Sequence, residues 1–153
     1  MIPARVERWR LRGRLVHRAW RYRLRTEAAE VAFLRAHVST GQVAVDVGAH
    51  RGALTYWMLT AVGRTGRVVA VEPIPELAAY LRRLGTEGGF DRLRVVESAL
   101  SSASGTTTLH VPSAGYTGTA SVVAQADGHT PVSVDMTTLD ALCAHQDARP
   151  VGF

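Results

Sequence analysis

Between Val6 and Val38 apolar residues recur mostly three, four or seven apart, at Val6, Trp9, Val16, Trp20, Leu24, Ala28, Val31 and Leu34, with no proline among them. That periodicity predicts helix, with Gly13 as the point of interruption. Ser39-Thr40-Gly41 supplies a stop, and the pattern then changes to a short apolar run, Val43-Ala44-Val45-Asp46-Val47, which reads as a buried first strand. A glycine turn, residues 48–52, leads into a helix whose inner face is Leu54, Trp57, Met58, Ala61 and Val62, ended by Gly63. Arg67 to Glu72 is a second apolar strand broken by Pro73. Pro75 opens a helix with Leu77, Tyr80, Leu81 and Leu84 on one face before Gly85. Leu93 to Val96 is a third strand. Beyond Ser98 the alternation gives way to three β-prone runs, Thr106 to Val111, Thr119 to Ala124 and Val132 to Met136, read as an inserted meander or hairpin. Thr137-Thr138-Leu139-Asp140 has the spacing of a capping box and starts a short helix through about His145. Val151-Gly152-Phe153, after Pro150, reads as the start of another strand.

Strand, glycine turn, helix and strand in that order form a βαβ unit, so the fold class is α/β. Length and composition agree with one globular domain: 153 residues, 46% apolar and 20% charged. No apolar stretch approaches the ~18 to 20 residues of a spanning helix, and the N-terminus lacks the apolar core of a signal peptide, so the expected location is the cytoplasm. Cys143 is the only cysteine, which excludes an internal disulfide and a cysteine metal cluster, and no pair of histidines has the spacing of a metal site.

Charge divides the chain. Residues 1–25 hold nine Arg and one Glu (+8), and the remaining residues hold nine Arg and twelve acids (−3), for a net +5. Residues 1–38 are therefore expected to be an Arg-rich helical arm, separable from a body at 39–153. Arg interleaved with Trp9, Trp20 and Tyr22 suits a helix that caps the domain with a solvated polar face, the default, or an anionic membrane surface to which the chain would bind peripherally, or nucleic acid, the least favoured.

The chemistry concentrates at the glycine turn. A turn of this kind between a buried parallel strand and a helix lets backbone approach a nucleotide cofactor at the carboxyl edge of a sheet. Here Asp46 holds the place of the first glycine of a dinucleotide fingerprint, giving Asp-x-Gly-x-x-x-Gly with Gly48 and Gly52. A carboxylate there is poorly placed against a pyrophosphate and well placed near a cationic amino-acid moiety such as that of S-adenosylmethionine. Glu72, at the end of the second strand, can accept hydrogen bonds from both ribose hydroxyls. The alternative for Asp46 and Glu72 is that they only cap neighbouring helices. An NAD-dependent oxidoreductase is disfavoured by Asp46.

Val43-Ala44-Val45-Asp46-Val47-Gly48-Ala49-His50-Arg51-Gly52, then Gly66 to Pro73, Ala99-Leu100-Ser101 with Gly105 soon after, and Thr137 to Leu142, resemble FkbM-type S-adenosylmethionine-dependent methyltransferases. The resemblance runs from about Glu27 to Phe153. It implies a Rossmann-like class I methyltransferase sheet of order 3-2-1, here its N-terminal portion of strands 1–3 with a β insertion. The cofactor-binding residues it implies are Asp46, Gly48, Ala49, His50, Gly52, Glu72, Ser98 and Ala99. His50 stands where the family commonly has Asn, and either lines the pocket or faces solvent. The implied reaction is O-methylation of a hydroxyl on a small molecule, sugar or lipid-linked acceptor. No catalytic residue or metal ligand is assigned. A fourth strand should follow beside strand 1, and Phe153 falls where it begins, so the expectation is a truncated reading frame or fragment. Such a chain would bind cofactor at best and associate with itself.

Overall fold

The computed structural model of the chain describes residues 4–25, 28–113, 121–122 and 128–145. Three parallel strands form the central sheet in the order β1 (Val43–Val47), β2 (Arg67–Val71), β3 (Leu93–Val96). Asp46 lies opposite Ala70 and Val47 opposite Val71. This is the expected α/β order. Strand period two sorts the side chains: Ala44, Val68 and Ala70 pack on one face with Leu59, Leu81 and Leu84, while Val43, Val69 and Val71 pack on the other with Leu142. The first face is covered by α3 (Ala53–Ala61) and α4 (Pro75–Thr86), the second by α5 (Leu139–His145).

The N-terminal region is helical, with two differences from the sequence reading. The helix α1 (Ala4–Arg25) runs straight through Gly13, and α2 (Ala28–His37) follows it. The buried face of α1 is also not the one its largest apolar residues mark. Leu11, Leu15 and Ala19 are buried, an i, i+4 seam, whereas Trp9 and Leu24 are each 73% exposed. Leu15 packs in the same cluster as Leu59, Leu81 and Leu84. Arginines flank the seam and hold its rim: the Arg12 guanidinium lies 4.9 Å from the Phe90 ring and that of Arg18 5.7 Å from the Tyr80 ring. The arm is thus docked on the body.

Because α3 is covered by α1 and α2 as well as by the sheet, Thr55 and Leu59 are buried along with Trp57 and Val62 of the predicted stripe, whose Leu54, Met58 and Ala61 are half-buried. The indole Nε1 of Trp57 donates to the Ala19 carbonyl at 3.1 Å. Gly85 lies inside α4, and the reversal falls at Gly89, which has φ +73°. A second sheet has the order β4 (Ala99–Leu100), β6 (His129–Thr137), β5 (Gly105–Pro112), with β5 and β6 antiparallel and β4 parallel to β6. It packs Leu109, Val111 and Val134 against Ile74 and Leu77 at the start of α4. Of the predicted middle run, Ser121 bridges His110; residues 119, 120, 123 and 124, like Val151-Gly152-Phe153, lie outside the described residues. Thr138, one residue later than predicted, caps α5 by accepting from the Ala141 N–H at 3.1 Å.

Candidate functional site

The carboxyl ends of β1 and β2 are joined by the glycine turn. Gly48 and Ala49 donate their N–H groups to the Val71 carbonyl at 2.9 and 3.1 Å, which ties the turn to the adjacent strand. Gly48 has φ +73° and His50 φ +49°. The second value explains why His stands where the resembling proteins carry Asn, since both are among the residues enriched in the left-handed region. Gly52, at φ +78°, serves packing: a Cβ there would sit 3.2 Å from Leu81 Cδ2 and 3.3 Å from Leu15 Cδ1.

Asp46 is buried and accepts a hydrogen bond from the Thr55 hydroxyl of α3. Burial raises its pKa to about 6, the Thr55 bond opposes the rise, and the nearby Glu72 charge adds to it. Glu72 is buried too. Its Oε2 accepts from the His50 N–H at 2.7 Å and its Oε1 from the Ile74 N–H at 3.0 Å. Ile74 is the residue preceding the first turn of α4, so Glu72 does cap that helix and also pins the glycine turn. Each carboxylate oxygen retains a second lone pair.

Above the turn lies a cavity of about 410 Å³, lined by Asp46, Gly48, Ala49, His50 and Arg51, together with Arg18 and Tyr22 of α1 and Glu30 of α2. That volume is within the roughly 300–1,000 Å³ range of small-molecule sites. The α1 and α2 residues were invisible to motif reading, because their only signal is a position in a helix that folds back over the turn. Thr55 was missed for a related reason: it is a lone polar residue on an otherwise apolar helix face. Of the predicted residues, Gly52, Glu72, Ser98 and Ala99 do not line this cavity; Glu72 reaches it only through its hydrogen bond to the His50 N–H. The Ser98 hydroxyl bonds the carbonyls of Ala99 and Asp135 at 3.2 and 3.1 Å, and Ser98 lines a separate cavity with Glu97, Gly105 and Asp135. Ala99 pairs with Met136 in the second sheet.

The sequence of residues 46–153 matches the methyltransferase FkbM domain. A protein-L-isoaspartate O-methyltransferase of Caenorhabditis elegans is 44% identical over 50 residues, 33% of this chain and 22% of that protein. Among the solved structures similar to the chain are two methyltransferases. One is a SAM dependent methyltransferase from Aquifex aeolicus, at 22% identity and a TM-score of 0.43, covering 51% of this chain and 40% of that one. The other is methyltransferase FkbM from Methylobacillus flagellatus KT, at 19% identity and a TM-score of 0.36, covering 67% of this chain and 22% of that one. The chain therefore spans well under half the length of each of these proteins. The domain match takes in Asp46, the glycine turn and Glu72, and the chain belongs to the FkbM family of S-adenosylmethionine-dependent methyltransferases.

Proposed function

We propose that the chain binds S-adenosylmethionine across the carboxyl ends of β1 and β2 and serves O-methyl transfer. The observation that carries this reading is the buried Asp46 carboxylate at the floor of a cavity walled by the glycine turn. The donor set fits the group. Asp46 offers a counter-charge to the ammonium and sulfonium, while the lone pairs left on Glu72 suit ribose hydroxyls. Bound cofactor supplies an electrophilic methyl on sulfur. The chain's own part is to bind and orient: the turn fixes the floor, Thr55 fixes the Asp46 carboxylate, and Glu72 fixes the turn. An aligned acceptor hydroxyl and a base for its proton complete what transfer needs of a protein.

Family resemblance supports a hydroxyl acceptor on a small molecule, sugar or lipid-linked compound; the name of the Caenorhabditis elegans relative, a protein-L-isoaspartate O-methyltransferase, supports oxygen as the accepting atom and no more. No helix among the described residues is long and apolar enough to cross a membrane. A peripheral role for α1 is supported by Val6, Trp9, Trp20 and Leu24, all exposed among arginines. Adsorption to anionic vesicles that falls with salt is the expected result, and equal binding to neutral vesicles would remove it.

Calorimetric titration with S-adenosylmethionine, its demethylated product and NAD tests the cofactor. Binding of the first two over NAD is expected; tighter binding of NAD would overturn the reading. Binding without transfer by this chain would favour a non-catalytic cofactor-binding role.

A further inference from the structure

The cavity over the glycine turn is not made by the family-matched segment alone. Asp46, Gly48, Ala49, His50 and Arg51 form its floor, and Arg18 of α1, which lies outside residues 46–153, closes it. We infer that Arg18 binds the α-carboxylate of the cofactor's amino-acid end, so that the N-terminal helix completes the cofactor site. This rests on the S-adenosylmethionine reading above.

The argument begins with charge. An amino-acid end carries an ammonium and a carboxylate a few bonds apart, and a pocket holding a buried Asp46 accepts the first and repels the second. A cation on the same cavity is needed for the carboxylate, and the cavity has two, Arg18 and Arg51. Arg18 is the one held in place. Its Nη1 donates to the Arg51 carbonyl at 2.9 Å and to the Tyr80 hydroxyl at 3.3 Å, and its guanidinium lies over the Tyr80 ring. These bonds use one nitrogen of a planar fork and leave Nη2 and Nε for a carboxylate. The helix that carries it is fixed by the fully buried Leu15 and Ala19 on either side, so the guanidinium is positioned before any ligand arrives. Glu30, the other acid on the cavity wall, is engaged at Oε2 by the Tyr22 hydroxyl at 2.9 Å.

The test compares S-adenosylmethionine with its decarboxylated analogue, which keeps the sulfonium and the amine and lacks only the carboxylate. The unaltered chain should prefer the intact cofactor. Arg18→Gln should lose about ten- to a hundredfold in affinity for the intact cofactor, the range for a charge-assisted hydrogen bond, and less than about threefold for the analogue. Arg18→Lys should recover part of the loss, and Arg51→Gln should leave the preference standing. Equal losses of Arg18→Gln on both ligands would show a merely structural role and overturn the inference, as would a selective loss in Arg51→Gln instead. Failure of the unaltered chain to bind either ligand would overturn the cofactor reading itself, a result distinct from both.

Discussion

Asp46 shows how a single residue sets a pH dependence. Its carboxyl titrates at about 6 in the folded chain against 3.8 for the ordinary group, chiefly because it is buried. The unfolded chain therefore loses this proton first, and the stability present below about pH 4 is lost as pH rises to about 6, on the order of 3 kcal/mol. Melting curves between pH 4 and 7 should show this fall in the unaltered chain and not in Asp46→Asn; parallel curves would contradict it. An ammonium and a sulfonium near Asp46 favour the ionised carboxylate, so affinity for S-adenosylmethionine should rise between pH 5 and 7 and stay flat in Asp46→Asn. Glu72→Ala should act on both fold and binding, since it strips acceptors from the His50 and Ile74 N–H groups. A stability loss of roughly 1–3 kcal/mol for each orphaned donor is expected in chemical denaturation, together with weaker cofactor binding. Unchanged stability would mean that water replaces the carboxylate. Sequence spacing located both acids, because a strand end is readable from its apolar run and its breaker. It did not reveal that Glu72 spends one lone pair of each oxygen on backbone, since that depends on how the turn after β1 lies across the end of β2.

At the scale of elements, what was legible followed local chemistry and what was not followed partners. The three parallel strands and the start of α4 are legible because their apolar runs and the proline that opens the helix are local, whereas its end is not, Gly85 lying inside the helix. The buried face of α1 was misjudged because Trp9 and Trp20 dominate any apolar count, while the seam that docks is Leu11, Leu15 and Ala19. The two residues of β4 carry no periodic signal and exist only because β6 pairs with them. This docking changes what a truncation should do. Removal of residues 1–25 takes the net charge from +5 to −3 by the count above, but it also uncovers Leu59, Leu81 and Leu84. The shortened chain should lose cooperative melting rather than keep its fold. Leu15→Ala in the intact chain should cost about 2–5 kcal/mol, the range for a buried leucine truncated to a cavity. A shortened chain that melts like the full one would show α1 to be the separable arm that its composition suggests.

For the whole molecule the informative asymmetry is the outer edge of the parallel sheet. β1 pairs with β2 on one side, and on the other it has no ladder partner among the described residues. The sequence reads β1 as a buried strand, yet Val47 is 58% exposed, as is Phe33 of α2 at 61%. Beside that edge runs a groove of about 540 Å³ lined by Phe33, Leu34, Val38, Val45, Leu54 and Met58, larger and far more apolar than the charged cavity over the turn. Parallel sheets are stable when covered on both faces, and an open apolar edge offers unpaired N–H and C=O groups to another chain. A second copy related by a two-fold axis would bring β1 against β1 antiparallel and close both grooves at once. The 153-residue chain should accordingly associate as its concentration rises, with sedimentation showing dimers or larger species and a hydrophobic dye binding most strongly to the dilute form. Phe33→Lys places a charge on the apolar groove beside that edge, at a residue that does not line the cavity over the turn, and it should shift the chain toward monomer while leaving cofactor affinity within about twofold. A chain that stays monomeric at high concentration and binds no dye would show that the edge is covered from within the same molecule.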